Sequence, residues 1–283
     1  MILFKKVSNL RKWLDNQRKN EISIGFVPTM GALHPGHLSL IENCRQTAGS
    51  TVCSIFVNPT QFNDPADFAK YPVTLEQDLD LLESAGTDLV FLPAVEEIYP
   101  GGKPVSRHYD LGYLETVLDG AYRPGHFQGV CTVVERLLQI VEPDHLFLGQ
   151  KDYQQCMVIS RLVEWMGNKD KTRIHICPTL REKDGLAMSS RNLRLSENER
   201  RIAPLLYHCL SRMKTDLEKG DLKKIKGFAV KDLEAAGFKP DYVEIADAVT
   251  LELLDEWDGK RPLVALVAAF LNQVRLIDNL LLY

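Results

Sequence analysis

Short runs of β-branched and other apolar residues alternate with longer amphipathic stretches along the chain as far as Cys177. The predicted strands are 22–27, 51–57, 88–92, 145–148 and 173–177, and the predicted helices are 36–47, 75–85, 130–141 and 153–166. Alternation of this kind predicts an α/β fold with a parallel sheet and right-handed crossover connections. Ligands of such sheets bind beyond the carboxyl ends of the strands, so the loops there are the first candidates for a site.

The pattern changes after Pro178, which indicates a second unit of the α+β class. Ser196 and Glu199 have the spacing of a capping box, and the helix that they open is expected to bend at Pro204 and end near Gly220. Further elements are predicted as a helix at 221–236 and strands at 242–245, 263–271 and 274–276, the last two forming a hairpin.

Length and composition fit a globular protein of two domains, which we place at 1–177 and 178–283 of the 283 residues. The net charge of -4 argues against a broad nucleic-acid-binding surface. The longest apolar run, Leu263 to Leu271, is too short to span a membrane. Six cysteines without Cys-x-x-Cys spacing are expected to be reduced core thiols. We therefore expect a cytoplasmic protein that binds neither nucleic acid nor membrane.

The first predicted strand runs into a loop and a helix start with the sequence VPTMGALHPGHLSLI. A turn through Gly31 and a helix beginning at Gly36 would direct backbone amides, including those of Gly36 and His37, at an anion such as phosphate. His34 and His37 would add two imidazole donors. Two alternatives stay open from these residues: a tight turn with surface histidines, and a metal site that uses the histidine pair.

Two further loops carry polar side chains that suit a small substrate. Asn58 and Gln61 follow the second predicted strand beside an aromatic residue, where neutral amides can orient a polar ligand. Asn58 before proline is equally typical of an ordinary turn. Arg123 lies in a loop for which substrate contacts and a structural turn are both open.

Two segments carry cations near predicted helix or loop starts. Lys151 follows Gly149 and can contact phosphate as a point charge, and Gln155 lies about one helical turn further on. Ser189, Ser190 and Arg191 are consecutive and predict a flexible clamp for a triphosphate. The structural alternatives are a solvated lysine at a helix end and a polar linker.

Together these loops resemble the pantothenate synthetase family, the ATP-dependent pantoate:β-alanine ligases. The resemblance is carried in order by PTMGALHPGH, FVNPTQF, RPGHFQGV, GQKDYQQ, MSSRN and RLIDN, from Pro28 to Asn279. Each motif is weak alone, but the combination covers nearly the whole chain. The His-x-Gly-His and Met-Ser-Ser-Arg motifs are also similar to the wider nucleotidyltransferase superfamily that includes class I aminoacyl-tRNA synthetases. Gln150 stands where many family members have Glu.

The resemblance implies a Rossmann-type first domain, a smaller α+β lid domain, Mg²⁺ with ATP as cosubstrate, and a homodimer. It implies a ligase that condenses pantoate with β-alanine through pantoyl adenylate and releases pantothenate, AMP and pyrophosphate. His34 and His37 would contact the phosphates, and His37 would be the general acid. Lys151 and Arg191 would stabilise charge on the same phosphate oxygens.

The remaining roles are assigned on the same motifs. Gln61 and Gln155 would hold pantoate, with Asn58 and Arg123 as further substrate contacts. Asp78, on the helix after the second loop, would contact the water shell of Mg²⁺. ATP would be lined by Met30, Gly31, His34, Gly36, His37, Gly149, Lys151, Asp152, the Leu180 backbone, Met188, Ser189, Ser190 and Arg191.

Two other functions stay open. One is an enzyme of the same superfamily that stops at nucleotidyl transfer, which differs in that no amine is consumed. The other is a nucleotide-binding module without turnover, because a fold alone never proves activity. The presence of both histidines, Lys151 and the Ser-Ser-Arg segment favours the enzyme over the module.

Overall fold

A parallel six-stranded sheet forms the centre of the first unit in the computed structural model, which describes residues 1–62, 68–101 and 107–283. Its strands are β1 Ile2–Phe4, β2 Ile24–Thr29, β3 Ser50–Ile55, β4 Leu89–Phe91, β5 His145–Gly149 and β6 Arg173–Cys177. Their order is β1-β4-β3-β2-β5-β6, and all neighbouring pairs are parallel. The chain leaves β2 toward β3 and β4 on one side and leaves β5 toward β6 on the other. The ends of β2 and β5 therefore flank the switch point where such sheets bind ligands.

Helices cover both faces of this sheet. They are α1 Val7–Lys19, α2 Pro35–Thr47, α3 Leu75–Ser84, α4 Val95–Ile98, α5 Leu118–Tyr122, α6 His126–Val141 and α7 Tyr153–Trp165. Consecutive strand residues such as Phe26 and Val27 belong to different buried clusters, since side chains alternate between the faces. One cluster packs beneath α1, α6 and α7, and the other beneath α2 and α3. Among the residues that the structure describes, no helix is both long and apolar enough to cross a bilayer.

The second compact unit consists of residues 151–153 and 179–283, and the first unit of residues 1–150 and 154–178. Within the second unit, β8 Phe238–Asp247, β10 Leu263–Leu271 and β11 Val274–Leu281 form an antiparallel sheet in the order β11-β10-β8. A short antiparallel pair joins β7 Gly220–Asp221 to β9 Glu256–Trp257. The helices of this unit are α8 Glu197–Ile202, α9 Leu205–Thr215 and α10 Lys223–Ala235. The predicted fold class, a parallel α/β domain followed by a smaller α+β domain, is confirmed.

The capping box at the start of α8 is present as predicted. The Glu199 amide donates to Ser196 Oγ over 3.3 Å, and the Ser196 amide donates to Glu199 Oε2 over 2.7 Å. The long helix expected to follow is instead two helices, which separate at Ala203 and Pro204. Proline has no N–H to donate to the preceding turn, so it ends α8 rather than bending one continuous helix.

Several strand boundaries differ from the prediction for reasons of length and polarity. β1 has only three residues and carries too little periodic pattern to be recognised. β11 continues to Leu281, five residues beyond the predicted end at Leu276. The prediction ended early because Asp278 and Asn279 are polar, yet both are buried inside the strand.

All six cysteines are buried free thiols, as the sequence predicted. Burial raises the pKa of the Cys53 and Cys131 thiols to about 12, because the low-dielectric interior disfavours the thiolate. Thiols of this kind pack as small apolar groups and are poor nucleophiles near neutral pH.

Candidate active site

The loop after β2 reverses direction through two residues in the left-handed region of backbone space. Gly31 has φ of +79° and Ala32 has φ of +49°. A Cβ atom on Gly31 would lie only 3.0 Å from Asp78 Oδ2 and 3.1 Å from Ile55 Cγ2, so glycine suits both the conformation and the space. This turn carries the chain from the end of β2 to the start of α2.

Asp78 on α3 holds this loop in place. Its carboxylate accepts hydrogen bonds from the Ala32 amide (2.9 Å) and the Leu33 amide (2.8 Å), and also from Thr74 Oγ1 (3.0 Å). The side chain is only 2% exposed. Both carboxylate oxygens thus satisfy buried loop donors, and a contact of Asp78 with the water shell of Mg²⁺ stays a prediction.

The two histidines form the N-terminal cap of α2. The Gly36 amide donates to His34 Nδ1 over 3.2 Å, and the His34 amide donates to His37 Nδ1 over 3.4 Å. Two imidazoles therefore act as a reciprocal capping box, with ring centroids 4.0 Å apart. Because Nδ1 accepts in each ring, the neutral imidazole carries its proton on Nε2. Both rings are consequently N–H donors through Nε2.

The backbone amides at the start of α2 already have partners within the helix start. The Gly36 amide is bonded to His34 Nδ1, and the His37 amide donates to the His34 carbonyl over 2.8 Å. Pro35, at the first helical position, has no N–H. The expected anion donors Gly36 and His37 are thus engaged within the helix start itself, the first by the His34 imidazole and the second by the His34 carbonyl.

Asn58 is a buried anchor, which is the structural alternative that the sequence left open, and its contact with substrate stays a prediction. Its Oδ1 accepts from Tyr99 Oη over 2.8 Å, and its Nδ2 donates to the Gly129 carbonyl over 3.1 Å and to Gln61 Oε1 over 3.2 Å. The residue is 1% exposed. Asn58 therefore joins the turn after β3 to α6, and it also fixes the side chain of Gln61.

Gln61 lies beside Met30 at the same edge of the sheet. Its Nε2 contacts Met30 Sδ over 3.1 Å, so two of the predicted ligand-binding residues are brought together. An adjoining pocket of about 260 Å³ opens against the loop after β2 and is lined mainly by apolar side chains. It is lined by Met30, Gly31, Ala32, Ile55, Phe56, Val57, Pro72, Val73, Thr74, Leu75, Asp78, Leu92, Pro93, Ala94 and Val95.

His126, the first residue of α6, and Arg123, three residues before it, support the Gln61 turn. Arg123 Nη1 lies 3.0 Å from His126 Nε2, and His126 Nδ1 lies 2.8 Å from the Gln61 carbonyl. Because arginine only donates, Nε2 of His126 accepts, and Nδ1–H donates to Gln61. Arg123 is thus part of the support for this turn, which is the structural alternative that the sequence left open, and its contact with substrate stays a prediction. His126 was missed because a motif does not show which imidazole is buried.

The adjacent residues Gln154 and Gln155 at the start of α7 differ in their surroundings. The Gln154 amide group is buried, accepts from the Asp119 amide, and donates to the carbonyls of Leu114 (2.7 Å) and Val117 (2.9 Å). Gln155 is half-buried and makes no side-chain hydrogen bond within the described parts of the chain. This difference keeps Gln155, not Gln154, as the candidate for ligand recognition.

In the second unit, Lys151 and Asp152 are neighbours in space as well as in sequence. Lys151 Nζ lies 3.6 Å from Asp152 Oδ2, and the lysine side chain is 17% exposed. The Lys151 carbonyl accepts from Asn279 Nδ2 over 2.8 Å. The backbone at Lys151 is therefore fixed by β11.

The predicted clamp at 188–191 follows a short two-stranded loop. The Met188 amide donates to the Leu180 carbonyl over 3.0 Å, and Arg181 pairs with Ala187 in an antiparallel bridge. Ser189 Oγ accepts from the Arg191 amide over 3.3 Å and caps a 3₁₀ turn. Of the Leu180 backbone groups proposed for adenine, the carbonyl is thus already bonded within the loop.

Arg181 is the residue of this segment that the sequence interpretation missed. It makes a two-pronged ion pair with Asp278, with contacts of 2.6 Å and 3.0 Å, and its guanidinium carbon lies 4.1 Å from the Tyr207 ring centre. Burial raises the pKa of Asp278, and the Arg181 charge opposes that shift. The sequence feature that could have indicated a buried partner for Arg181 is the polar pair Asp278-Asn279, which lies in a largely apolar run.

Comparison with known proteins identifies the relatives of this chain. A family model for pantoate-beta-alanine ligase matches residues 2–281. The chain belongs to the pantoate–β-alanine ligase family. A Schizosaccharomyces pombe pantoate–β-alanine ligase is 44% identical over 99% of this chain and 98% of its own length. The resemblance inferred from the motifs is therefore confirmed.

Solved structures of family members have the same fold. Pantothenate synthetase from Thermus thermophilus is 41% identical with a TM-score of 0.89, and the match covers 100% of both chains. The pantoate–β-alanine ligase from Francisella tularensis, solved in complex with beta-gamma ATP and β-alanine, is 36% identical with a TM-score of 0.81. That match covers 99% of this chain and 97% of the other.

The role of Asp78 in this family member can be tested by Asp78→Asn. The amide group can accept only one of the two loop N–H bonds well, so we expect unfolding to become easier by about 1–3 kcal/mol. Asp80→Asn is the matched control, because Asp80 is exposed on the same helix and loses the same charge. Urea unfolding of both variants gives the comparison. Equal stability of the two would show that the carboxylate does not hold the loop.

Proposed function

We propose that this chain condenses pantoate with β-alanine at the expense of ATP, through a pantoyl-adenylate intermediate that yields AMP and pyrophosphate. The observation that carries the proposal is the imidazole capping box at the switch point of the sheet. His34 and His37 are both N–H donors there through Nε2, at the helix start where α/β sheets receive phosphate. The family relationship supports the substrates, and the Francisella relative was solved with an ATP compound and β-alanine.

The first step that we propose makes the pantoate carboxylate reactive. A carboxylate oxygen bonds to the α-phosphorus of ATP, and the bond from that phosphorus to the bridging oxygen breaks to release pyrophosphate. Negative charge grows on the α- and β-phosphate oxygens. Preorganised donors lower the barrier most when they act on charge that develops in the transition state. We assign His34 and His37 to this charge as hydrogen-bond donors through Nε2–H, with His37 directed at the departing oxygen.

The other phosphate contacts that we propose are at 151 and 189–191. Lys151 acts as a point charge and Arg191 as a planar donor, with the hydroxyls of Ser189 and Ser190 beside it. Ser189 Oγ already caps the Arg191 amide, which orders the segment before nucleotide binds. The remaining ATP-lining residues that we propose are Met30, Gly31, Gly36, Gly149, Asp152, Leu180 and Met188.

Pantoate recognition is assigned to Gln61 and Gln155. The Gln61 side chain is fixed by Asn58 on one side and lies against Met30 on the other, so its amide is held in one orientation. A preset neutral amide can bond a hydroxyl or carboxylate at low entropic cost. In the second step, the neutral amine of β-alanine attacks the acyl carbon, the amide bond forms as the bond from that carbon to the phosphate oxygen breaks, and AMP and a proton leave.

Mg²⁺ is proposed as part of the Mg-ATP substrate. In the described residues, no group of three His, Cys, Asp or Glu side chains is arranged to hold a metal, and Asp78 is committed to the loop. Magnesium in nucleotide sites is commonly held by substrate phosphates with few protein ligands. We also propose a homodimer, on the family resemblance alone.

The proposed reaction is tested by its products. With pantoate, β-alanine and Mg-ATP supplied, we expect pantothenate and AMP in equal amounts. When pantoate or β-alanine is omitted, we expect no continued formation of AMP. Release of ADP and phosphate would instead indicate an acyl phosphate, and AMP formation without consumption of the amine would indicate a simple nucleotidyltransferase. Chromatography of the nucleotides and of pantothenate distinguishes all three.

Substrate positioning is tested separately by Gln61→Ala and Gln155→Ala. Loss of one or two hydrogen bonds to pantoate should raise the KM for pantoate by about tenfold, because each such bond contributes about 0.5–1.5 kcal/mol. The KM for ATP should stay within twofold, since a neutral amide adds little for the triphosphate. Gln46→Ala, on the outer face of α2, is the control. Parallel changes in both KM values would reject the assignment.

A further inference from the structure

Two adjacent polar residues of β11 are buried where an apolar strand would be expected. Asp278 is 4% exposed and Asn279 is 2% exposed, and they pair with Val267 and Leu266 of β10. Burying an amide and a carboxylate is costly unless their hydrogen bonds are satisfied. The hydrogen-bond partners of Asp278 and Asn279 therefore show which segments this part of β11 holds in place.

Asn279 holds the backbone of the proposed phosphate-binding lysine. Its Nδ2 donates to the Lys151 carbonyl over 2.8 Å, and this contact lies within the second compact unit. The Lys151 backbone is thereby tied to a sheet strand, although the residue lies outside any long regular element. A long flexible ammonium side chain is directed best when its backbone is fixed.

Asp278 holds the segment that leads into the proposed triphosphate clamp. Its carboxylate binds Arg181 through two nitrogens, at 2.6 Å and 3.0 Å, and also accepts from the Asn279 amide over 2.7 Å. Arg181 further donates to the carbonyls of Gly185 and Asn279, both at 3.1 Å. The arginine is thus immobilised between its own loop and β11, a few residues before Ser189.

A role in stability alone is a poor explanation for this arrangement. A buried ion pair commonly contributes no more net stability than apolar residues of the same volume. What such a pair does supply is a defined geometry, because a planar guanidinium on a carboxylate allows one arrangement. Consecutive residues of one strand set the positions of two segments, and both segments carry proposed phosphate donors.

We infer that Asp278 and Asn279 are positioning residues, which hold Lys151 and the loop at 179–191 in a fixed mutual arrangement for the triphosphate. The inference rests on the proposed function, since it takes Lys151 and Ser189 to Arg191 as the phosphate contacts. Neither Asp278 nor Asn279 needs to touch the nucleotide. Their effect is transmitted through the Lys151 carbonyl and the Arg181 guanidinium.

The test uses Asn279→Ala in the full-length protein, alone and combined with Lys151→Ala. If Asn279 acts through Lys151, the single variant should lose about 10- to 100-fold in kcat/KM for ATP, because misplacement of a reacting group by about 1 Å has that effect. The KM for pantoate should change less than twofold. The double variant should be no worse than Lys151→Ala alone, since residues that act as a unit are not additive.

Asp241→Asn is the matched control. It breaks the ion pair between Asp241 of β8 and Arg275 of β11, in which Arg275 Nε lies 2.7 Å from Asp241 Oδ2. Both side chains of this pair are largely shielded from solvent. If Asn279→Ala acted only by weakening the sheet around β11, Asp241→Asn would show the same loss of kcat/KM when its melting temperature falls by the same amount. If Asn279→Ala fails to fold, Asn279→Ser keeps a polar group at the buried position, and Asp278→Asn tests the Arg181 branch.

The outcomes separate the inference from the proposed function. The inference is supported if Asn279→Ala lowers kcat/KM for ATP and this loss does not add to the loss caused by Lys151→Ala. Normal kinetics of folded Asn279→Ala or Asn279→Ser, beside a severely impaired Lys151→Ala, overturns the inference alone. Normal turnover of Lys151→Ala overturns the assignment of Lys151 to the phosphates, and with it the inference. Equal defects in Asp241→Asn also overturn the inference, because they reveal a general effect of the sheet.

Discussion

The carboxylate of Asp78 satisfies two buried amides at the point where the chain leaves β2, and the arrangement of the first unit's site depends on this. Ala32 and Leu33 are buried in a turn that passes through the left-handed region at Ala32. Their N–H groups therefore need an acceptor inside the protein, which Asp78 provides. A charged acceptor on α3 fixes the turn more firmly than water could. With the turn fixed, His34 reaches the N-cap position of α2 and the two imidazoles can cap the helix.

The other candidate loops are also held by a buried polar side chain that bonds to the backbone. In each, one buried polar residue satisfies the backbone beside a residue that we propose for ligand binding. Asn58 anchors the turn that presents Gln61, and Gln154 anchors the start of α7 beside Gln155. Asn279 anchors the carbonyl of Lys151 in the second unit. Rigid support of this kind lets short loops carry a site without the entropic cost of ordering them on binding.

The sequence predicts the architecture better than the roles of individual residues. A short apolar run is a local pattern, so the sequence predicts β6 and β10 at their observed boundaries. Burial is a tertiary property, and the sequence could not show that Asp78 and Asn58 are enclosed and saturated. Nor could it show that His34 and His37 cap the helix and so engage the amides expected to bind phosphate. The ion pair of Arg181 joins residues nearly one hundred positions apart, beyond the reach of any spacing argument.

The central claim is that pantoate is activated on the α-phosphorus of ATP before the amine takes part. Isotope exchange tests this most directly, because a reversible first step must proceed without β-alanine. Labelled pyrophosphate should enter ATP when the protein, Mg-ATP and pantoate are present and β-alanine is omitted, and the incorporation should stop when pantoate is withheld. Absence of exchange at saturating pantoate, in protein that forms pantothenate when β-alanine is added, would contradict the adenylate mechanism.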